Sequence, residues 1–234
     1  MRVLVCVKRV PFTGGKMVLA ADSMSLETKH LGFTISPHEE CGVEEAVRLI
    51  EANGGESVVL TLGPPEAVEQ LRDAMALGID RAIHLQTEGA EWDPEATAAA
   101  IVDAIRADEA ASGPFDLIFF GNESADSGGF QVGLRVAGAL GRPAVTGLKG
   151  VRLDGASVRC EQEVLNLPRY PSVPGRMRAG RKPVAVSTPS RPAARLELVL
   201  LVVPPGQGRR AEVLGNGAAA APAVVEMMRK IGVA

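Results

Sequence analysis

The residues best suited to chemistry lie in GNESADSGGFQVG, positions 121 to 133, directly after the apolar run FDLIFF. Small residues at a strand–loop–helix junction let backbone N–H groups approach phosphate oxygens, and the next helix adds unpaired donors and a favourable dipole. Ser124, Ser127, Gly128 and Gly129 suit that use. Glu123 and Asp126 carry the wrong sign to face a phosphate and suit backbone amides, a ribose or a base. The same composition fits an ordinary turn in which glycine supplies positive φ. Neither GxxxxGK[ST] nor GxGxxG accompanies the loop, and GGK at 14–16 lacks the spacing and the Ser/Thr of a phosphate loop.

Other reactive side chains form no constellation. His30, His38 and His84 are scattered, with no Ser/His/Asp or metal-ligand spacing, and His84 inside an apolar run reads as packed. Cys6, Cys41 and Cys160 lie far apart, which favours neither a zinc site nor a disulfide framework; Cys6 reads as a small buried hydrophobe. The basic stretch RMRAGRK at 176–182 reads as a solvated loop, with a docking surface for an acidic partner as the lesser alternative. Residue chemistry therefore points to nucleotide binding without a catalytic centre.

The elements that must position the loop alternate regularly. RVLVCV, SVVLTL, RAIHL and DLIFF have the length and composition of strands covered on both faces. Between them, PHEECGVEEAVRLIEANGG places Pro37 at a first helical position after Ser36, and Glu39 completes a capping-box spacing. Val43, Ala46, Val47 and Ile50 give that helix one apolar face, and Gly54 marks its stop. PPEAVEQLRDAMALG and DPEATAAAIVDAIRADEAA predict two more helices, the second capped by Asp93. Repeated strand–helix units predict an α/β, doubly wound, mainly parallel sheet whose ligands bind beyond the carboxyl ends of the strands. That rule groups Val7, Lys8, Leu62 to Pro64 and the loop after Phe120 on one edge.

The long connection KMVLAADSMSLETKHLGFTIS predicts a short hairpin of its own. Beyond residue 143 the pattern changes: GVRLDGASVRCEQEV predicts a hairpin about Asp154-Gly155, and the Pro-, Gly- and Arg-rich LNLPRYPSVPGRMRAGRKPV predicts an exposed loop. LELVLLVV predicts one more strand, followed by a linker and a closing helix containing Val224, Val225 and Met228. The expected division is a nucleotide-binding domain over 1–190 and a C-terminal strand-and-helix arm over 191–234. With 234 residues, 46% apolar content and net charge -3, the chain suits a soluble globular protein and not a module that neutralises nucleic-acid phosphates. MRVLVCVKRV is too short and too charged for a signal peptide, no run approaches a membrane span, and the expected location is the cytoplasm.

In order along most of residues 1–184, VLVCVKRVP, ISPHEECGVEEAVRL, TLGPPEAVEQLRDAMALGIDRAIHL, the 121–133 loop and LPRYPSVPGRMRAGRKPV resemble the β subunits of electron-transfer flavoproteins. GNESADSGG is similar to the form of the loop in actinobacterial members. The resemblance implies a fold of the adenine-nucleotide hydrolase-like type, a buried structural AMP, and an α-subunit partner that carries most of the shared FAD site. It also implies a role in passing electrons from acyl-CoA and related dehydrogenases to a membrane quinone oxidoreductase, as in fatty acid β-oxidation.

Carried over by position, the AMP pocket comprises Cys6, Ser36, Pro37, His38, Glu39 and Leu62, with Gly121, Asn122, Glu123, Ser124, Ala125, Asp126, Ser127, Gly128, Gly129, Phe130, Gln131 and Val132. Gln131 and the next helix's first amides would be donors, and Phe130 stands where family members commonly have Asn. Val173 matches the apolar anchor that enters a pocket of the dehydrogenase, flanked by Tyr170, Pro174 and Met177. Thr13 and His38 match positions near the flavin that are often aromatic. Between Val164 and Leu165 the family's acidic Gly-Gly turn and a strand ending in Pro-Ala-Val-Val have no counterpart, a departure that bears most on α-subunit docking. Two other readings stand beside this one: an electron-bifurcating relative with FAD in place of AMP, and a stand-alone adenine-nucleotide-binding protein.

Overall fold

A computed structural model describes residues 1–12, 18–155, 157–161, 168–203, 214–230 and 232. Within them the chain forms two compact units, Met1–Val199 and Leu200–Ala234.

The first unit is built on five parallel strands. These are β1 (Arg2–Cys6), β4 (Glu56–Gly63), β5 (Arg81–Gln86), β6 (Leu117–Phe120) and β9 (Val184–Ser187), in the order β6-β1-β4-β5-β9. The numbering counts a small antiparallel pair, β2 (Arg9–Pro11) with β3 (Phe33–Ile35), and the hairpin β7 (Gly150–Asp154) with β8 (Ser157–Glu161). The connection after β2 also carries an antiparallel bridge, Leu19 to Leu26, so the long first crossover does contain local pairing.

Alternation along β1 creates two cores. Val3, Val5 and Val7 face one layer, where they meet Val43, Ala46 and Val47 of α1 (Pro37–Asn53) and Leu71, Ala74 and Met75 of α2 (Val68–Leu77). Leu4 and Cys6 face the other layer, with Ala96, Ile101 and Ile105 of α3 (Pro94–Ser112) and Val136 of α4 (Val132–Leu140). Side chains at successive strand positions point to opposite faces, so a strand apolar at every position needs helices on both sides. Asp93 caps α3 as expected, its Oδ1 accepting the Glu95 and Ala96 N–H groups at 2.9 and 3.1 Å.

Two expectations need correction. The segment expected as an exposed loop, residues 165–184 and described from 168, contains a short helix, α5 (Val173–Ala179), and leads into the edge strand β9. Ser172 is the N-cap of α5, its hydroxyl accepting the Gly175 N–H at 3.1 Å, and Pro174 sits in the first turn, where its missing N–H costs nothing. Conversely, LELVLLVV forms no strand in the described residues: Leu198, Val199, Leu200, Val202 and Val203 are exposed. Apolar, β-branched composition favours a strand only where a neighbour completes the ladder. The second unit carries α6 (Ala221–Lys230) with a tight turn at Gly217–Ala220. Thr13, GGK at 14–16 and the Val164–Leu165 junction lie outside the described residues.

Candidate functional site

From β1 the chain moves outward through β4 and β5, then returns to place β6 on the other side of β1. Open sheets bind ligands at such a reversal, beyond the carboxyl ends of the strands on either side of it, here β1 and β6. Cys6 pairs in register with Phe120, so Val7, Lys8 and Gly121 emerge side by side there.

Ser36, just before α1, spans this crevice. It is 1% exposed, and its hydroxyl donates to the Glu123 carbonyl at 3.3 Å and accepts the Ala125 N–H at 3.2 Å. The expected capping box is therefore absent: the Ser36 side chain makes no cap hydrogen bond, and Glu39 N–H reaches the Ser36 carbonyl instead. A hydroxyl that satisfies two half-buried main-chain groups of the loop does more there than one that satisfies a single helical amide.

Glu39 is turned to the strand. Its Oε2 accepts the Lys8 N–H at 2.6 Å, and burial pushes its carboxyl up to about 8 despite the N–H groups of Lys8 and Ser36 that favour the ion. Gly121 has to be glycine for this contact, because a Cβ there would stand 2.6 Å from Glu39 Cγ. Lys8 Nζ in turn pairs with Asp126 at 2.7 Å and with Glu91. Burial works against ionisation of Asp126, yet Lys8 holds its carboxyl below the usual range.

Within the loop, the Ser124 and Ser127 hydroxyls lie 2.8 Å apart and Gly128 N–H donates to the Ser124 carbonyl at 3.0 Å. A Cβ on Gly128 or Gly129 would meet nothing within 4 Å, so both backbones face open space. Gln131, the residue before α4, makes no capping hydrogen bond, and its Oε1 accepts from Arg135 at 3.1 Å. The first amides of a helix have no partner inside it. The crevice therefore presents open glycine backbone and an uncapped helix start, with the Asp126 carboxylate turned onto Lys8.

The structure thus brings Ser36 and Glu39 against the loop of Gly121, Asn122, Glu123, Ser124, Ala125, Asp126, Ser127, Gly128, Gly129, Phe130 and Gln131, while Val132 packs on the core layer below and Pro37 and His38 are exposed at the first turn of α1. Cys6 is different: its thiol is 5% exposed in the core layer below, and burial raises its pKa far above the ordinary value, so it contributes backbone to the crevice. Leu62 is half-buried beyond the end of β1, on β4. The sequence placed Lys8 on this edge of the sheet, two residues past β1, without giving it a role, and it did not mark Glu91 at all. Tyr170, Val173 and Met177 cluster elsewhere, on and before α5, and are 95%, 74% and 68% exposed; Pro174 lies among them in the first turn.

Comparison with known proteins decides what this crevice belongs to. The electron transfer flavoprotein domain matches residues 23–166, more than half of the chain. The chain belongs to the electron transfer flavoprotein family. It is 30% identical to the electron transfer flavoprotein subunit beta of Syntrophomonas wolfei, covering 98% of this chain and 96% of that one. The corresponding subunit of Bradyrhizobium diazoefficiens is 32% identical over 88% of this chain and 91% of its own, and that of mouse 32% over 80% of each.

In this electron transfer flavoprotein chain, Phe130 has φ 50, a left-handed conformation that suits glycine or asparagine far better than phenylalanine, and its ring is 54% exposed. Phe130→Asn is expected to relieve that strain and raise stability by about 1 kcal/mol, a rise in Tm of roughly 2–4 °C. A calorimetric scan checks this; an unchanged or lower Tm would mean that the ring makes compensating contacts. No helix among the described residues is long and apolar enough to cross a membrane.

Proposed function

We propose that this chain is the β subunit of a heterodimeric electron-transfer flavoprotein, holding a structural AMP in the β1/β6 crevice and completing the FAD site of an α subunit. In this reading it has no catalytic centre. The heterodimer carries electrons in the cytoplasm from acyl-CoA-type dehydrogenases to a membrane quinone oxidoreductase. The observation that supports AMP most directly is the Ser36 hydroxyl, which ties the helix after β1 to the loop after β6 by two hydrogen bonds and so shapes one cradle from two elements. The α-phosphate would meet the amides at Gly129 to Val132 and the start of α4, while His38, exposed at the start of α1, would face the flavin side. FAD, when bound, supplies the redox chemistry; this chain's residues orient and enclose.

Tyr170, Val173, Pro174 and Met177 form the docking face for the dehydrogenase. The exposed apolar residues from Leu198 to Val203, with α6, form an arm that docks on the α subunit, where a strand partner for that run would become available.

Co-expression with an α subunit, followed by acid release and quantification of bound ligands, tests the assignment. One AMP and about one FAD per heterodimer are expected, the ratio set by one crevice per β subunit. Two FAD without AMP would replace this reading with the bifurcating one. Failure to pair with any α subunit, combined with ATP turnover, would favour a stand-alone nucleotide protein.

A further inference from the structure

The proposed dehydrogenase-docking segment is clamped at both ends. At its start, Arg169 donates its main-chain N–H to Glu44 Oε2 at 3.0 Å. Its guanidinium grips the same carboxylate, Nε to Oε2 at 2.9 Å and Nη2 to Oε1 at 3.0 Å, and reaches Glu51 at 2.7 and 3.0 Å. At its end, Lys182 Nζ donates to the carbonyls of Met75, Gly78 and Ile79 at 3.0, 3.3 and 2.5 Å. Arg72 Nη1 donates to the Ala179 and Lys182 carbonyls at 2.5 and 2.6 Å. Between the clamps lies the exposed face of Tyr170, Val173 and Met177, and Tyr170 is the very next residue after Arg169.

The two acids on Arg169 are not equivalent. The Glu51 side chain is 58% exposed and can exchange its partner for water, whereas that of Glu44 is 2% exposed on the inner side of α1. Burial disfavours its charge, yet Arg169, assisted by Arg48 at 2.8 Å, holds its carboxyl below the usual range. A carboxylate fixed in a helix core that accepts both a main-chain N–H and a guanidinium fork sets the direction of the chain as well as the place of a side chain.

We propose that Glu44 is a positioning residue for partner docking: through Arg169 it fixes the path of residues 169–172 and hence the face on which Tyr170 and Val173 are presented. The inference rests on the docking role proposed above. Pre-ordered binding faces lose less freedom on association, so loosening this one weakens docking without touching the redox site.

The test uses the intact heterodimer and an acyl-CoA dehydrogenase, with flavoprotein concentration varied. Glu44→Gln keeps the shape and an acceptor but removes the charge. It is expected to raise KM for the flavoprotein about fivefold, with kcat, FAD and AMP content unchanged, and to speed hydrogen exchange at residues 169–172. Arg169→Lys keeps the charge and loses the fork, and is expected to move KM in the same direction even if the Glu44 variant folds poorly. Glu51→Gln is expected to change KM less than about twofold. Val173→Ala, which removes the exposed anchor itself, separates the two claims. A raised KM for Val173→Ala with wild-type KM for both the Glu44 and Arg169 variants would overturn the positioning role. An unchanged KM for Val173→Ala would remove the docking reading, and the positioning role with it.

Discussion

Gly175→Ala is expected to raise the KM of a partner dehydrogenase for this flavoprotein about tenfold or more, a loss of at least about 1.4 kcal/mol in docking. Stability is expected to fall by about 2 kcal/mol, the usual cost of overpacking. Gly175 lies in the first turn of α5, where that helix rests on α2. A Cβ there would stand 2.4 Å from the Ala76 carbonyl oxygen and 3.1 Å from Ser172 Oγ. The first obstacle is backbone inside a helix and cannot turn aside, so α5 itself must lift. Its N-cap hydrogen bond from Gly175 N–H to Ser172 Oγ is then strained, and Val173 and Met177 move with the helix. Steady-state kinetics at varied flavoprotein concentration would show the docking loss, and urea unfolding the stability loss. Wild-type KM together with wild-type stability would mean that α5 shifts freely on α2, which is incompatible with a clamped segment.

The framework was legible because its signals were local and repeated. RVLVCV, SVVLTL, RAIHL and DLIFF are strands because each must pack on both faces, and unbroken apolar runs report that directly. The edge strand Val184–Ser187 gave no such signal, since three of its four residues are exposed and the strand it pairs with, β5, is a hundred residues away in sequence. The C-terminal run read as a strand from composition alone, although strand formation depends on a partner that composition does not supply. The candidate site divides in the same way. Its glycine-rich loop announced itself, but the use of Ser36 did not: Ser36 and Glu39 have capping-box spacing, and the groups that draw both side chains elsewhere belong to Glu123 and Lys8. Side-chain destinations fixed by the tertiary fold leave no trace in local spacing.

Charge is arranged oppositely at the two edges of the sheet. At the amino edge, Arg2 and Arg81 share Glu56 and Asp108 over distances of 2.6 to 3.0 Å. Burial disfavours the Asp108 carboxylate, but hydrogen bonds from Arg81 and Arg2 outweigh it and lower its pKa. A depressed carboxyl pKa adds stability above the unfolded value, and that stability is lost as pH falls through the folded value. At the carboxyl edge Glu39 behaves in the reverse sense, as a buried acid whose hydrogen bonds do not offset its desolvation.

Glu39→Gln is accordingly expected to make the chain markedly more stable at alkaline pH. The wild-type carboxyl titrates near 8 in the folded protein and near its ordinary value, 4.5, when unfolded, so the folded state holds the extra proton between those limits. Its contribution is complete below the unfolded value and declines as pH rises toward 8, by up to about 1.4 kcal/mol per pH unit. Glutamine has the same shape, can still accept the Lys8 N–H and does not ionise. Asp108, Asp126 and Glu44, which titrate in the opposite sense, are common to both proteins and cancel in the difference. Urea titrations of wild type and Glu39→Gln at pH 5, 6.5 and 8 should therefore diverge by a few kcal/mol. Parallel stability curves would mean that Glu39 is already ionised at neutral pH, and the carboxylate would then have to be stabilised by Lys8 across the mouth of the crevice. In that case removing its charge would leave Lys8 to Asp126 and Glu91 and end the repulsion between Glu39 and Asp126, so the Lys8–Asp126 pair should tighten.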